Sequence, residues 1–253
     1  MLISKFNKFL GQNFGFNISR VSKPTSYEVK KIRNESKILI DNFKAEGYEI
    51  YENLRYEVED HEESSLDTQC SIMSNWISKL KPDEILDIGS YRHFLLGLLA
   101  NCKVTTVDIR ERKKNSKNET CLVGDALKLS SFCKNKFSLV MSQQTLQHAG
   151  LGRYGDSLDF DGPRKLMEEI QKVIEYKGHL IFSTTFTKRD PGVVFNSHRI
   201  YNKEQISSLT SGLDLVEEML VDKRRGNIKS LKDGTTKKNH YDFYVGMYQK
   251  TQR

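Results

Sequence analysis

The chain has 253 residues, of which 37% are hydrophobic and 29% charged, and its formal net charge at pH 7 is +7. This composition excludes a disordered chain, and the length suits one large α/β domain with an appendage. No segment approaches the roughly 20 apolar residues that cross a bilayer, and residues 1–16 lack the apolar core of a secretory signal. We therefore expect a cytoplasmic protein without stable membrane insertion.

The positive charge is compatible with several kinds of partner. Lysines scattered over both ends of the chain, among them Lys23, Lys31 and Lys238, carry much of the excess charge. They are compatible with a nucleic-acid partner, with a phosphorylated small substrate, or with a solvated surface alone.

The cysteines form no CxxC pair and have no zinc-type spacing to histidine, so we predict reduced thiols in or near the core and no catalytic metal. These four cysteines are Cys70, Cys102, Cys121 and Cys133.

The N-terminal quarter is polar and charged, and we predict a helical extension over residues 1–66. Within it, residues 27–45 have a rough apolar face at helical spacing. Apolar side chains in residues 67–80 also recur at helical spacing, and Pro82 ends that helix. We expect the main domain to cover residues 67–253.

The main domain alternates short apolar strands with helices. Strands are predicted for residues 84–89, 103–109, 120–126, 136–144, 178–186 and 213–221, and helices for residues 91–101, 163–174 and 202–212. Such alternation indicates a parallel sheet that helices cover on both faces. Residues 240–250 alternate aromatic and polar side chains, which is typical of an edge or antiparallel strand. The predicted fold class is therefore α/β, a Rossmann-like sheet of parallel strands with a terminal antiparallel strand.

Polar side chains follow the predicted strands where each strand ends. They belong to the segments Asp87–Ser90, Asp108–Ile109, Gly124–Ala126 and Ser142–Gln144. Ligands of open parallel sheets bind at these carboxyl ends, near the point where the strand order reverses. A carboxylate there can accept hydrogen bonds from both hydroxyls of a ribose or from the amino group of an adenine. Each acid also has a purely structural alternative, as a helix cap or a turn residue.

This series of strand-end acids resembles the class I S-adenosylmethionine-dependent methyltransferases over residues 67–250. The resemblance implies a Rossmann-like methyltransferase sheet with S-adenosylmethionine as the cofactor. The cofactor-binding residues that it implies are Asp87, Gly89, Ser90, Asp108, Ile109, Asp125, Ala126 and Gln143. That family usually has GxGxG after the first strand, where this chain has a single glycine followed by Ser-Tyr-Arg-His. A nicotinamide-binding Rossmann domain needs GxGxxG at the same place, and that motif is absent.

A loop rich in glycine and charge follows the fourth strand and suits ligand binding better than packing. Its motif HxGLGRYGDxLD, which begins at His148, resembles a small methyltransferase-like family of unassigned function. That family was first collected around nematode proteins, and its bacterial relatives occur in capsule and lipopolysaccharide gene clusters. In the family proline follows the position of Asp156 and often that of Asp159, where this chain has Ser157 and Phe160.

The loop supplies candidates for catalysis and substrate binding. His148 titrates near neutral pH and can take a proton from a sugar hydroxyl, or it can simply bond to a loop carbonyl. Arg153 can hold a phosphate or carboxylate, or it can pair internally with Asp156 or Asp159. A second polar cluster, residues 196–201, follows the fifth strand. The predicted catalytic residues are His148, Asp156 and His198, and the predicted substrate-binding residues are Arg153, Tyr154, Asp159 and Arg199.

We therefore expect an O-methyltransferase that acts on a sugar, nucleotide-activated or phosphorylated, without a nucleic-acid partner and with oligomerisation left open. A nucleic-acid methyltransferase is an alternative, but the usual [DNS]-PP-[YFW] motif is replaced by residues 142–145, Ser-Gln-Gln-Thr. A non-catalytic scaffold with this fold is a second alternative, which the missing GxGxG favours slightly and which the retained acids and the polar loop argue against. A divalent ion bound by Asp156, Asp159 and Asp161 also stays open, because their alternation loosely resembles an oxygen-ligand loop.

Overall fold

The computed structural model describes residues 26–51, 64–114, 116–238 and 240–251. The chain divides into two units, with the boundary between residues 61 and 62. The first unit contains helix α1, Ser26–Ala45, which confirms the predicted helix over residues 27–45. Residues 1–25 and 52–63 of the predicted extension lie outside the described residues.

The second unit is built around an eight-stranded sheet. Its strands are β1 Glu84–Ile88, β2 Lys103–Asp108, β3 Glu119–Val123, β4 Phe137–Gln143, β5 Ile174–Phe186, β8 Asp214–Val221, β9 Ile228–Lys229 and β10 Asp242–Gln249. The spatial order is β3–β2–β1–β4–β5–β10–β8–β9, and β1 to β5 pair in parallel as predicted. The order reverses between β1 and β4, so a crevice is expected at their carboxyl ends. A separate hairpin is formed by β6 Gly192–Val194 and β7 His198–Ile200.

Helices cover both faces of the sheet. They are α2 Ser65–Leu80, α3 Arg92–Leu98, α4 Leu129–Phe132, α5 Gly162–Val173 and α6 Lys203–Leu209. Side chains of successive strand residues point to opposite faces, and Ile85 and Leu86 accordingly belong to two different apolar clusters. Helix α2 contributes Trp76 to the cluster of Ile85, and α5 contributes Leu166 to the other. Because helices bury both faces of the sheet, the strand sequences are almost continuously apolar.

Two predictions about the strands need correction. Strand β5 begins at Ile174, directly after α5 and before the predicted start at residue 178. Strand β10 lies between β5 and β8 and is antiparallel to both. Of the two possibilities predicted for it, an edge strand is wrong and an antiparallel strand is confirmed. The aromatic residues of β10 are buried, and the hydroxyl groups of Tyr244 and Tyr248 lie 2.6 Å apart. Successive residues of β10 pack alternately into the two apolar clusters, with Tyr244 in one and Phe243 in the other.

The cysteines are all free, as predicted, with Cys133 buried and the other three half-buried. Of the helices in the part of the chain that the structure describes, none has the length and apolar character needed to span a membrane. Helix α2 begins with a capping box, in which Ser64 and Asp67 each bond to the other's backbone N–H. This cap places the start of α2 just before the predicted boundary at residue 67.

Candidate functional site

A cleft opens at the carboxyl ends of β1, β2, β3 and β4, where the strand order reverses. Its empty volume, including the open mouth, is about 730 Å³. Sequence-predicted site residues that line it are Gly89, Asp108, Ile109, Asp125, Ala126, His148, Tyr154 and Asp156. The other predicted site residues lie behind this wall or in the adjoining loops.

Gly89 forms the floor of the cleft just after β1. Its φ is +65°, a conformation that residues with a side chain rarely adopt. A Cβ atom here would lie only 2.8 Å from Oγ1 of Thr145, which donates a hydrogen bond to the carbonyl of Ile88 at 2.8 Å. One glycine, with the Thr145 side chain directly behind it, thus leaves bare backbone at the cleft, where the family that the sequence resembles usually has GxGxG.

Asp87, Ser90 and Gln143 form a buried layer beneath the cleft. The Ser90 hydroxyl accepts a hydrogen bond from the Gln143 N–H at 2.9 Å, and the Gln143 amide group contacts the backbone of Tyr91 and the thiol of Cys70. Asp87 is fully buried, and its Oδ2 accepts a 3.4 Å bond from the Ser90 N–H. Its Oδ1 has no hydrogen-bond partner among the described residues. Burial raises the pKa of Asp87 to about 7, although Ser90 and Arg112 act in the opposite direction.

Replacing Asp87 by asparagine is expected to stabilise the ligand-free protein above neutral pH. The pKa of Asp87 rises from 3.8 to about 7 on folding, so between these values the folded state binds more protons than the unfolded state. The contribution of Asp87 to stability therefore falls as the pH rises through this range, and asparagine does not titrate. Urea unfolding at several pH values should show the variant's advantage growing from pH 4 to pH 8. Asp83→Asn, an exposed carboxylate before β1, is the control; equal curves for both variants would contradict the assignment.

Two arginines hold the carboxylate of Asp108 at the end of β2. Arg110 donates to it from Nε and Nη2, both at 3.0 Å, and from its backbone N–H at 2.9 Å. Arg112 adds a bond from Nη2 at 3.0 Å. Burial acts to raise the pKa of Asp108, but these bonds and charges together hold it below its ordinary value. The carboxylate is therefore ionised. For a ribose to bind both of its oxygens, the Arg110 side chain, which is 62% exposed, would have to move away.

Asp125 shapes the cleft wall after β3. Its Oδ1 accepts a hydrogen bond from the N–H of Leu127 at 2.9 Å and so caps the short 3₁₀ turn Ala126–Lys128. Its Oδ2 accepts no hydrogen bond from the described residues, and the residue lines the cleft with Ile109 and Ala126. The turn role and the predicted cofactor role therefore use different oxygens of one carboxylate.

His148 ends a 3₁₀ turn, Leu146–His148, and lines the cleft. Its Nδ1 lies 2.6 Å from the carbonyl oxygen of Ser197. Because a carbonyl only accepts hydrogen bonds, Nδ1 carries the proton and the lone pair lies on Nε2. Burial lowers the pKa of His148, with further lowering from Arg153. The imidazole is therefore neutral at pH 7, with its free nitrogen available as a proton acceptor.

The glycine-rich loop after His148 is fixed by its own charged residues. The carboxylate of Asp156 accepts from the N–H groups of Gly152 and Tyr154, both at 3.1 Å. Asp159 pairs with Lys165 at 2.5 Å. Arg199 donates to the carbonyls of Ala149, Asp159 and Phe160, which ties the loop to β7. Asp159 and Arg199 do not line the cleft, so these contacts give no support to the substrate roles predicted for them.

Gly150 is where this loop passes closest to itself, and we expect alanine there to destabilise the protein. Gly150 and Gly155 both have positive φ, +73° and +87°, so alanine at either site carries a backbone cost of about 1 kcal/mol. Only at Gly150 would a Cβ overlap the carbonyl oxygen of Asp159, whereas nothing lies near a Cβ at Gly155. Urea unfolding should show a loss of about 2–4 kcal/mol for Gly150→Ala and about 1 kcal/mol for Gly155→Ala. Equal losses would contradict the close approach.

The remaining predicted residues, Arg153, Tyr154 and His198, are held by contacts with neighbouring loops. Arg153 donates to the carbonyl of Ser197 at 3.2 Å and pairs with neither Asp156 nor Asp159, so of its two predicted alternatives the internal ion pair is absent. Tyr154 lies between two guanidinium groups, with Arg110 at 4.9 Å and Arg153 at 5.3 Å from its ring centre. His198 lies outside the cleft wall. Its ring is 4.9 Å from that of Tyr241, and its Nε2 is buried without a partner in the described part of the chain.

Gln144, Arg110 and Arg112 lie at or near the cleft but were not among the individual site residues predicted from the sequence. Gln144 has a φ of +56°, and its amide group bonds to Gln69 of α2 at 3.2 Å. Arg110 and Arg112 alternate directly after the Asp108 carboxylate, and this spacing was the one available signal for their pairing. No group of three or more potential metal ligands occurs in the described residues.

Solved structures with the same fold are class I methyltransferases and related proteins. The N-methyltransferase NodS of Bradyrhizobium japonicum WM9, solved with S-adenosylhomocysteine, has a TM-score of 0.53 and 16% identity, over 75% of this chain and 90% of NodS. A Burkholderia thailandensis 1,6-didemethyltoxoflavin-N1-methyltransferase has a TM-score of 0.57 and 13% identity over 93% of each chain. The [4+2]-cyclase SpnF has a TM-score of 0.54 and 15% identity, over 90% of this chain and 96% of SpnF. At these identities the likeness establishes the Rossmann-like methyltransferase fold.

The sequence itself gives one family match. No curated protein matches the chain. A family profile described as "Caenorhabditis protein of unknown function, DUF268" matches residues 91–247, which is more than half of the chain. The match includes β2, β3, the His148 loop, the β6–β7 hairpin and most of β10. The chain therefore belongs to the DUF268 family, whose fold here is that of the class I methyltransferases.

Proposed function

We propose that the chain is an S-adenosylmethionine-dependent O-methyltransferase. Its acceptor would be a hydroxyl of a sugar, a nucleotide-activated sugar or another phosphorylated small molecule, in capsule or lipopolysaccharide biosynthesis. The observation that carries the proposal is the hydrogen bond from Nδ1 of His148 to the Ser197 carbonyl, which leaves Nε2 as a proton acceptor on the cleft. This arrangement is what general-base catalysis at a hydroxyl requires.

The residues of the cleft fit the proposed cofactor. Gly89 offers bare backbone, Asp108 and Asp125 offer carboxylate oxygens, and Ile109 and Ala126 offer apolar wall. The unpartnered Oδ1 of buried Asp87 also suits a nearby hydrogen-bond donor. The cofactor would supply an electrophilic methyl group. For its ribose to reach Asp108, Arg110 must give up its bonds to that carboxylate.

The chain's own residues supply the remaining requirements. His148 would accept the hydroxyl proton at Nε2, and its Nδ1–H would stay bonded to the Ser197 carbonyl, which stabilises the resulting imidazolium. Tyr154 lines the cleft with the Arg153 guanidinium beside its ring, and these two side chains would orient the acceptor. Holding a nucleophile in line with the methyl group supplies much of the rate of such a transfer. The choice of a sugar, and of capsule or lipopolysaccharide as its destination, rests on the family resemblance alone.

The direct test is incubation of the protein with S-adenosylmethionine labelled in the methyl group and a panel of acceptors. The panel contains nucleotide sugars, sugar phosphates, free sugars and nucleic acids. Label transferred to a sugar hydroxyl would support the proposal, and label on nucleic acid would favour that alternative instead. Cofactor binding by calorimetry without transfer to any acceptor would favour a non-catalytic scaffold. His148→Asn is the matched control, because its loss of transfer links the product to the cleft.

A further inference from the structure

Positive charge is concentrated at the carboxyl edge of the sheet. The connection from β5 to β6 and the connection from β8 to β10 both lie there. In their described residues eight exposed lysines and arginines face two exposed acids, with Lys-Arg-Arg at 223–225 and Lys-Lys at 237–238. The two connections form one surface, since the Lys188 N–H bonds to the Thr235 carbonyl at 3.0 Å and the Arg189 guanidinium bonds to the Thr236 carbonyl at 3.4 Å. We call this surface the basic edge.

Large apolar side chains are exposed beside the basic edge. Phe160 and Leu158, in the glycine-rich loop, are 93% and 71% exposed, and Phe195, at the tip of the β6–β7 hairpin, is 74% exposed. Val193 and Val194 of the same hairpin are also exposed. We call these five residues the apolar rim.

The apolar rim is one feature because its two loops are bonded to each other. Arg199 of β7 bonds to the carbonyl of Asp159, and Arg153 bonds to that of Ser197. The hairpin also meets the basic edge next to its tip, where the His198 ring contacts Tyr241 and Lys223 lies 3.7 Å from the Tyr241 ring centre. Apolar and basic side chains thus share the end of the sheet that bears the cleft.

We propose that this end of the molecule docks on an anionic lipid membrane. The apolar rim would enter the interface between headgroups and acyl chains, and the basic edge would meet the negative headgroups. Charge complementarity favours an anionic partner, and the exposed leucine, valine and phenylalanine side chains select a lipid surface. A nucleic-acid backbone would satisfy the lysines and arginines, but aliphatic side chains gain nothing from phosphates or from stacking on bases. Docking here would turn the open cleft toward molecules held at the membrane surface.

The test is flotation of the full chain with two kinds of vesicle, phosphatidylcholine alone and phosphatidylcholine mixed with phosphatidylglycerol. We expect binding to the anionic vesicles and little binding to phosphatidylcholine. Lys237→Glu/Lys238→Glu should weaken binding by about tenfold or more, because each basic residue near an anionic surface contributes severalfold. Phe160→Ser/Phe195→Ser should weaken it by a similar factor through loss of apolar insertion.

The matched control is Lys79→Glu/Lys136→Glu, which makes the same charge change on exposed lysines at the amino ends of the strands. It should bind anionic vesicles within about threefold of the wild type. Thermal unfolding of every variant checks that these surface changes leave the fold intact. The proposal is overturned by equal loss in the control, by unchanged binding of the phenylalanine variant, or by binding to a DNA duplex but not to vesicles. Cofactor calorimetry is measured separately, so failure of docking leaves the proposed methyl transfer untouched.

Discussion

Replacing His148 by asparagine is expected to lower kcat by about 10²–10⁴-fold while leaving cofactor affinity nearly unchanged. Asparagine keeps an amide donor for the Ser197 carbonyl, so the loop contact at this position is retained. What it loses is the basic nitrogen on the cleft. Single-turnover rates with a saturating acceptor, together with calorimetry of the cofactor, separate these two effects.

The pH dependence gives a second measure of the same residue. The pKa of His148 lies below its ordinary value of 6.5, and a general base at this position would act in its neutral form. We therefore expect kcat/KM to be level at neutral pH and to fall as the pH drops through that lowered pKa, and His148→Asn should remove this acidic limb. His198→Asn is the control, because the His198 ring lies outside the cleft wall. If His198→Asn abolished turnover and His148→Asn changed only acceptor KM, the roles of the two histidines would be reversed.

The positions of the strands and their parallel pairing were predictable from sequence, because burial on both faces of a parallel sheet imposes continuous apolar runs. The end of each apolar run also marks the end of a strand. Gly89, Asp108 and Asp125 could therefore be placed at the carboxyl edge of the sheet from the sequence alone. Short elements were missed where no periodicity exists, as in the β6–β7 hairpin. That hairpin supplies the Ser197 carbonyl, and so the tautomer of His148 could not be predicted from the residues around position 148.

Charged residues show the limit of sequence reasoning most clearly. Asp159 and Arg199 have the chemistry of substrate binding, but the backbone of a tight glycine-rich loop has carbonyl and N–H groups that also need partners. Arg199 satisfies three loop carbonyls, and Asp156 satisfies two loop N–H groups. Sequence identifies which groups are available to bind, and only the fold decides whether a ligand or the chain itself is bound.

Replacing Asp108 by alanine is expected to raise the Kd for S-adenosylmethionine by about 10- to 150-fold, since a hydrogen bond to a charged group contributes about 1.5–3 kcal/mol. Calorimetry measures this directly. The structure adds a requirement, because Arg110 occupies both oxygens of the carboxylate that the ribose hydroxyls would use. A ribose bound at this site would therefore compete with Arg110 for Asp108.

Arg110→Ala separates the two ways in which this site can hold the ribose. If the ribose displaces Arg110, removing the side chain abolishes the competition, and Kd should stay level or fall by up to about fivefold, because an exposed ion pair contributes only about 0–1 kcal/mol. Arg112 would still orient the carboxylate through its 3.0 Å bond. If Arg110→Ala instead weakened binding as much as Asp108→Ala, the guanidinium would be the group that contacts the cofactor. Asp108 would then position Arg110 instead of binding the ribose itself.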